Sequence, residues 1–229
     1  PTPTEEHMAS FFAMVRPLGQ HVTLWPTLGN HEGIATPIYF QSYVVPGAAP
    51  APIPERFYSV RIGNLWMASL DLTDFYVAHI SQSSTIETRW LAEVLASPAA
   101  TSASYRLLSI HEPPYLSGWG GCPGYHGEEP LRHELVPLAA SMGVDAIISG
   151  HVHGYERGMK DGVHLVIVGG AGGNLDHDCD VPDDFPSPWF TNYVHHHAIV
   201  DAGCDELVLR AIGTDGVEFD RLEIPASSW

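Results

Sequence analysis

Three short motifs, each following directly on a β-rich run, constrain this chain more than any other feature. They are Gly29-Asn30-His31-Glu32, His111-Glu112-Pro113-Pro114-Tyr115 and Gly150-His151-Val152-His153-Gly154-Tyr155-Glu156-Arg157. In α/β sheets, ligands collect beyond the carboxyl ends of the strands, so loops that follow strands can converge on one site. A lone histidine in such a loop is an ordinary polar residue. Three histidine loops at equivalent positions predict a shared pocket.

The surrounding pattern predicts the frame that carries them. Thr4 followed by Glu5 and Glu6 reads as a helix start, and Phe11, Phe12, Val15 and Leu18 fall on one helical face. His21–Leu28 reads as a short β run. Residues 33–56 hold five prolines and read as a long loop. Phe57–Ile62, Gly63-Asn64 and Leu65–Leu72 predict a hairpin with a two-residue turn. Ser84-x-x-Glu87 is a capping box ahead of the apolar stripe Ile86, Trp90, Leu91, Val94 and Leu95.

Arg106–Ile110, Asp145–Ser149 and His164–Val168 predict further strands, with a helix around Pro130–Met142 between the first two. His197–Val200, Leu207–Ile212 and Val217–Ile224 predict successive antiparallel strands. Strands alternating with helices, followed by a β-only tail, indicate an α/β sandwich. Residues 1–229 read as one domain, with a terminal antiparallel segment over about 197–224.

Composition excludes several classes. Ten basic against 27 acidic residues give a net charge of −17, and Lys160 is the sole lysine. Such a surface repels phosphate backbones and anionic bilayers, so neither nucleic acid nor membrane is an expected partner. No apolar run approaches the ~18 residues of a membrane span. Hydrophobic residues make up 45% of the chain, which a disordered segment would not reach. Cys122, Cys179 and Cys204 have no C-x-x-C spacing, which rules out a zinc ribbon. One disulfide with a free thiol is open to them, in three pairings, as are buried inert thiols.

The residue types at the three loops suit metal chemistry. Imidazole binds borderline divalent metals, and a side-chain amide oxygen adds a neutral ligand for a harder ion. His151 and His153, one residue apart in an extended loop, can project to different sides and reach two neighbouring ions. Two ions ~3.5–4 Å apart would clamp a phosphoryl group and activate a bridging water. Among the remaining clusters, Asp176-His177-Asp178-Cys179-Asp180 reads as a solvated acidic loop. His195-His196-His197 reads as an edge or inward-packing run.

In this order and at these separations, G-N-H-E, H-x-P-x-Y and G-H-V-H-G-Y-E-R resemble the calcineurin-like metallophosphoesterases. The Tyr-Glu-Arg extension is similar to the purple acid phosphatase branch. Phe57–Asn64 resembles that family's strand before an L-D segment, here Leu70-Asp71. The resemblance implies a β-sandwich flanked by helices (α-β-β-α) that holds two metal ions, either iron with zinc or manganese, or two zinc. It implies that Asn30, His111 and His151 bind one ion and His153 the other. It makes His31 the group that contacts phosphate and protonates the leaving oxygen. His126, in Gly124-Tyr125-His126-Gly127, falls near the branch's substrate-facing histidines. Tyr155, Glu156 and Arg157 are implied to hold the histidine loop. The expected substrate is a small phosphate monoester, and the expected location is secreted or periplasmic.

The chain also departs from the family. No Asp-x-His occurs anywhere in it, and no Gly-Asp-x-x-Tyr motif precedes Gly29. Those motifs supply the bridging carboxylate and most ligands of the first ion. The expectation is a C-terminal portion of a phosphoesterase lacking its N-terminal part, whose metal site is completed by an N-terminal segment or a second chain. The alternatives are a phosphodiesterase or nucleotidase of the same superfamily, and a non-catalytic metal-binding remnant of the fold.

Overall fold

The computed structural model describes residues 4–32, 37–46, 56–72, 86–122, 124–182 and 185–226. Its framework is a seven-stranded sheet of β1 (Tyr58–Ile62), β2 (Leu65–Ser69), β3 (Tyr105–Ser109), β4 (Ala146–Ser149), β5 (Tyr155–Lys160), β6 (Val163–Val168) and β7 (Phe190–Asn192), in the order β1-β2-β3-β4-β6-β5-β7. The four central strands, β2, β3, β4 and β6, run parallel. Antiparallel pairing adds β1 at one edge, and β5 then β7 at the other. The β-only tail forms a second, antiparallel sheet of β8 (His196–Ala202), β9 (Glu206–Gly213) and β10 (Glu218–Pro225). This is the α/β sandwich that the sequence predicts.

Period-2 alternation sends neighbouring residues of the central strands to opposite layers. Leu107, Ala146 and Val166 pack on Leu207, Leu209, Ala211, Leu222 and Ile224 of the second sheet. Leu108, Ile147 and Leu165 pack instead with residues of helix α3 (Ile86–Leu95), including Trp90, Leu91 and Leu95, and of α5 (Val136–Ser141). Each fully buried large apolar side chain contributes roughly 1.5–3 kcal/mol relative to exposure. Two polar residues of β5 fasten the sheets together. Tyr155 donates its hydroxyl to Asp220 of β10 at 2.7 Å, and Arg157 donates to both oxygens of the same carboxylate at 2.6 and 2.8 Å.

The helices follow their local signals. Thr4 caps α1 (Glu5–Gly19) by accepting from the His7 amide, while the His7 ring accepts from the Thr4 amide. Short helices follow at α2 (Pro37–Ser42) and α4 (Pro98–Thr101). The expected helix around 130–142 begins as a π turn, Leu131–Leu135, before α5. Pro137 has no N–H for a carbonyl in the preceding turn, and widening that turn relieves the clash. Ser84 lies outside the described residues. Its partner Glu87 is buried and accepts from the Asp71 amide at 3.0 Å.

Several expectations need correction. The stretch at 33–56, read as a long loop, carries α2 at Pro37–Ser42. The run at 21–28 forms no strand: residues 23–29 join no ladder. Pro26 cannot donate, its carbonyl accepts from the Tyr58 hydroxyl at 2.8 Å, and Thr27 bonds the hydroxyls of Ser69 and Ser109 at 2.9 and 2.7 Å. These serines end β2 and β3, so the run is still pinned where the central strands finish. Strand β5 is a further one, since Tyr155–Arg157 belongs to the third histidine motif and carries no strand pattern. Asp161 and Gly162, both at positive φ, form the tight turn that folds β5 back on β6.

Candidate metal centre

Asn30, His31, His111, His151 and His153 line one cleft of about 330 Å³, together with Trp119, Gly169 and Asp176. Asn30 and His31 sit in a turn closed at both ends by Glu32. Its amide donates to the Gly29 carbonyl, and its carboxylate accepts from the Gly29 amide, each at 3.1 Å. His111 lies two residues beyond β3. Its ring packs against Gly29 so closely that a β-carbon there would stand 2.9 Å from it, which explains the glycine of the first motif. His151 and His153 lie between β4 and β5.

Three donor atoms from three loops converge. Nε2 of His111 is 2.9 Å from Oδ1 of Asn30 and 3.3 Å from Nδ1 of His151. The single hydrogen that a neutral His111 can carry on Nε2 cannot satisfy both neighbours fully, whereas one cation among the three atoms would. Burial, and then the neighbouring histidines, hold His111 well below the usual imidazole value, at about 4. Burial also lowers His151. Both rings are therefore neutral near pH 7, the form a metal requires. Donor atoms of His111, Glu112 and His151 also lie within 4.8 Å of one another, which puts a carboxylate beside the pair. Burial raises the Glu112 carboxyl to about 7. The residues present fit a divalent ion.

The other expected residues divide. His153 shares the cleft: its Nδ1 lies 2.6 Å from the Asn174 carbonyl, which leaves its Nε2 without a bond to that carbonyl, and its amide donates to Asp176 at 2.8 Å. His31 lies exposed on the rim. His126 is not among the residues lining the cleft. Its carbonyl accepts from the Leu116 amide at 3.0 Å and from Arg132.

The acidic loop is largely exposed, as the sequence predicts, and it is also anchored. It pairs with the 117–119 segment through a β-bridge between Gly118 and Asp178, and through Trp119 donating to the His177 carbonyl. A Cys122–Cys179 disulfide ties the two segments, and Cys204 is free and exposed. That pairing brings Asp176, the first residue of the acidic loop, into the cleft.

Glu156 does its holding at the other side of this wall. Fully buried, it accepts from the Ser117 amide and hydroxyl, the Gly118 amide, Trp189 and Tyr193, at 2.6–3.1 Å. Burial pushes its carboxyl up, and the bonds from Ser117, Trp189 and Gly118 pull against that. His196 packs inward against Tyr155 and Phe219, as expected for the triple-histidine run.

A cleft of histidines and an amide beyond the ends of parallel strands, on a two-sheet α/β sandwich, defines a metallophosphoesterase-type domain. The sequence profile of the calcineurin-like phosphoesterases matches residues 3–155. The chain belongs to that family. It is similar to purple acid phosphatase 23 of Arabidopsis thaliana, with 26% identity over 187 residues, covering 74% of this chain and 38% of that protein. It is 27% identical over 146 residues to phosphoenolpyruvate phosphatase of Allium cepa, covering 60% of this chain and 28% of that protein. The fold matches a purple acid phosphatase from yellow lupin (Lupinus luteus) seeds with a TM-score of 0.68 and 22% identity, over 95% of this chain and 43% of that one. The chain thus spans less than half the length of each of these relatives.

Proposed function

We propose that the protein acts as a metal-dependent phosphoric ester hydrolase, and that its substrates are small phosphomonoesters. The observation that carries this reading is the convergence of Asn30 Oδ1, His111 Nε2 and His151 Nδ1. These three side chains would hold one ion, with Glu112 as the adjacent carboxylate, and His153 would serve a second ion. Bound metal ions supply Lewis-acid charge at the phosphoryl group and lower the pKa of water. The ions expected are iron with zinc or manganese, or two zinc.

His31, which lines the same cleft, would donate its proton to the leaving oxygen. Asp176 fixes the His153 backbone through its amide. His126 is a further candidate for contacting substrate. An N-terminal segment or a second chain carrying carboxylates would complete the second ion's coordination. Export to a secreted or periplasmic location is supported by the disulfide, which persists in oxidising compartments. Among the described residues no helix is long and apolar enough to cross a membrane.

The test is hydrolysis of a phosphomonoester and a phosphodiester with the same aryl leaving group, before and after chelation. Faster monoester turnover that disappears with the metal supports the proposal. Preferential diester turnover favours a phosphodiesterase, and metal uptake without either activity favours a non-catalytic metal-binding domain.

A further inference from the structure

His151 is held in a backbone conformation that an L-residue rarely adopts. Its φ is +67°, and the Val152 amide donates across it to the Gly150 carbonyl at 2.8 Å, which makes His151 the centre of a γ-turn of the rare, strained kind. Such a conformation is unfavourable by itself and persists only where the surroundings over-determine it. Among the described residues, the one hydrogen-bonding neighbour of the ring is Nε2 of His111. Metal-binding histidines are ordinarily oriented by a hydrogen bond from their other nitrogen. Packing takes that part here.

The packing is aromatic. The Trp119 indole stacks on the His151 ring with centroids 5.0 Å apart and planes 24° from parallel. Tyr125 and His111 meet the same ring edge-on, at 5.9 and 5.1 Å. Trp119 is itself fixed by the Tyr125 ring at 4.9 Å, by its amide bond to the His177 carbonyl, and by Glu156 gripping the two preceding residues. The Cys122–Cys179 disulfide closes the segment three residues further on.

We propose that Trp119 is a positioning residue for His151: its indole sets the angle at which the imidazole faces Asn30 and His111, and so sets the affinity of the metal site. This rests on the metal-site reading above.

The experiment compares wild type with Trp119→Leu, which removes the stack, and Trp119→Phe, which keeps an aromatic face. Manganese and zinc affinities are measured by calorimetry, and His151 ring-proton shifts by NMR on chelator-treated protein. Trp119→Leu should bind metal at least ~10-fold more weakly, the loss usual for a partner that orients a ligand, whereas Trp119→Phe should stay within ~3-fold of wild type. The upfield ring shifts of His151 should vanish in Trp119→Leu and survive in part in Trp119→Phe. Unchanged affinity in Trp119→Leu, equal losses in both variants, or no upfield shift in wild type would overturn the proposal. If Trp119→Leu does not fold, the wild-type shifts and the Trp119→Phe affinity decide. Wild type that takes up no metal overturns the metal-site reading and this coupling with it, whereas metal uptake indifferent to Trp119 overturns the coupling alone.

Discussion

Nε2 of His111 and Nδ1 of His151 face each other at 3.3 Å, although the two residues lie 40 positions apart. Each is delivered by the loop after a central parallel strand. If both serve one ion, their contributions to binding are coupled. His111→Ala and His151→Ala should each lower zinc affinity roughly 100-fold or more, since even a partner outside the ligand set is worth ~10–100-fold. The double variant should lose little beyond either single one. Calorimetric titration of all three proteins measures this, and strictly additive losses would mean that the two rings do not share an ion.

His31 lies on the exposed rim of the same cleft. As a proton donor to the leaving oxygen it matters most when that oxygen is strongly basic. His31→Ala should reduce turnover of alkyl phosphates by ~10²-fold or more, and that of activated aryl phosphates far less. Comparable losses on both substrate types would remove the general-acid role.

Much of this arrangement is legible in the sequence. The runs that became β2, β3, β4 and β6 are apolar and bounded by turn residues, and the alternation along β9 is clear enough to assign the tail. β5 escaped because its first three residues, Tyr155-Glu156-Arg157, carry polar groups that bond to Asp220 and to the 117–118 segment, so the strand lacks an apolar pattern. The Asp161-Gly162 turn was the available signal. Trp119 and Asp176 reach the cleft through a disulfide and a β-bridge joining segments more than fifty residues apart, whereas Glu112 comes with its neighbour His111 at the end of β3. The cysteines allow a disulfide in three pairings, and spacing alone does not choose among them.

Glu156 satisfies several buried donors at once, and each donor left unsatisfied costs roughly 1–3 kcal/mol. Glu156→Leu should therefore destabilise the fold by several kcal/mol and loosen the 117–122 segment. Glu156→Gln, which keeps acceptor capacity, should lose less. Urea unfolding of the two variants checks the order, and equal stabilities would contradict the assigned role.

The inter-sheet clamp predicts an acid limit. Although burial opposes it, the bonds from Arg157 and Tyr155 hold the Asp220 carboxyl below its usual value of 3.8. A carboxylate with a depressed folded-state pKa contributes stability that is fully present above the unfolded value and is lost as pH falls through the folded one. Wild type should therefore lose stability from about pH 4 downward relative to Asp220→Asn, whose stability should change less over that window. Thermal melts between pH 2 and 5 in both proteins measure the difference, and parallel curves would exclude the clamp as its source.

The most direct measurement is the metal content of purified wild-type protein, by elemental analysis, beside that of a variant with Asn30, His111 and His151 all replaced by Ala. At least one equivalent of a transition metal per wild-type chain, and none in the variant, is the result expected if these three side chains hold the ion. A metal-free wild type, or equal metal in both proteins, would contradict it.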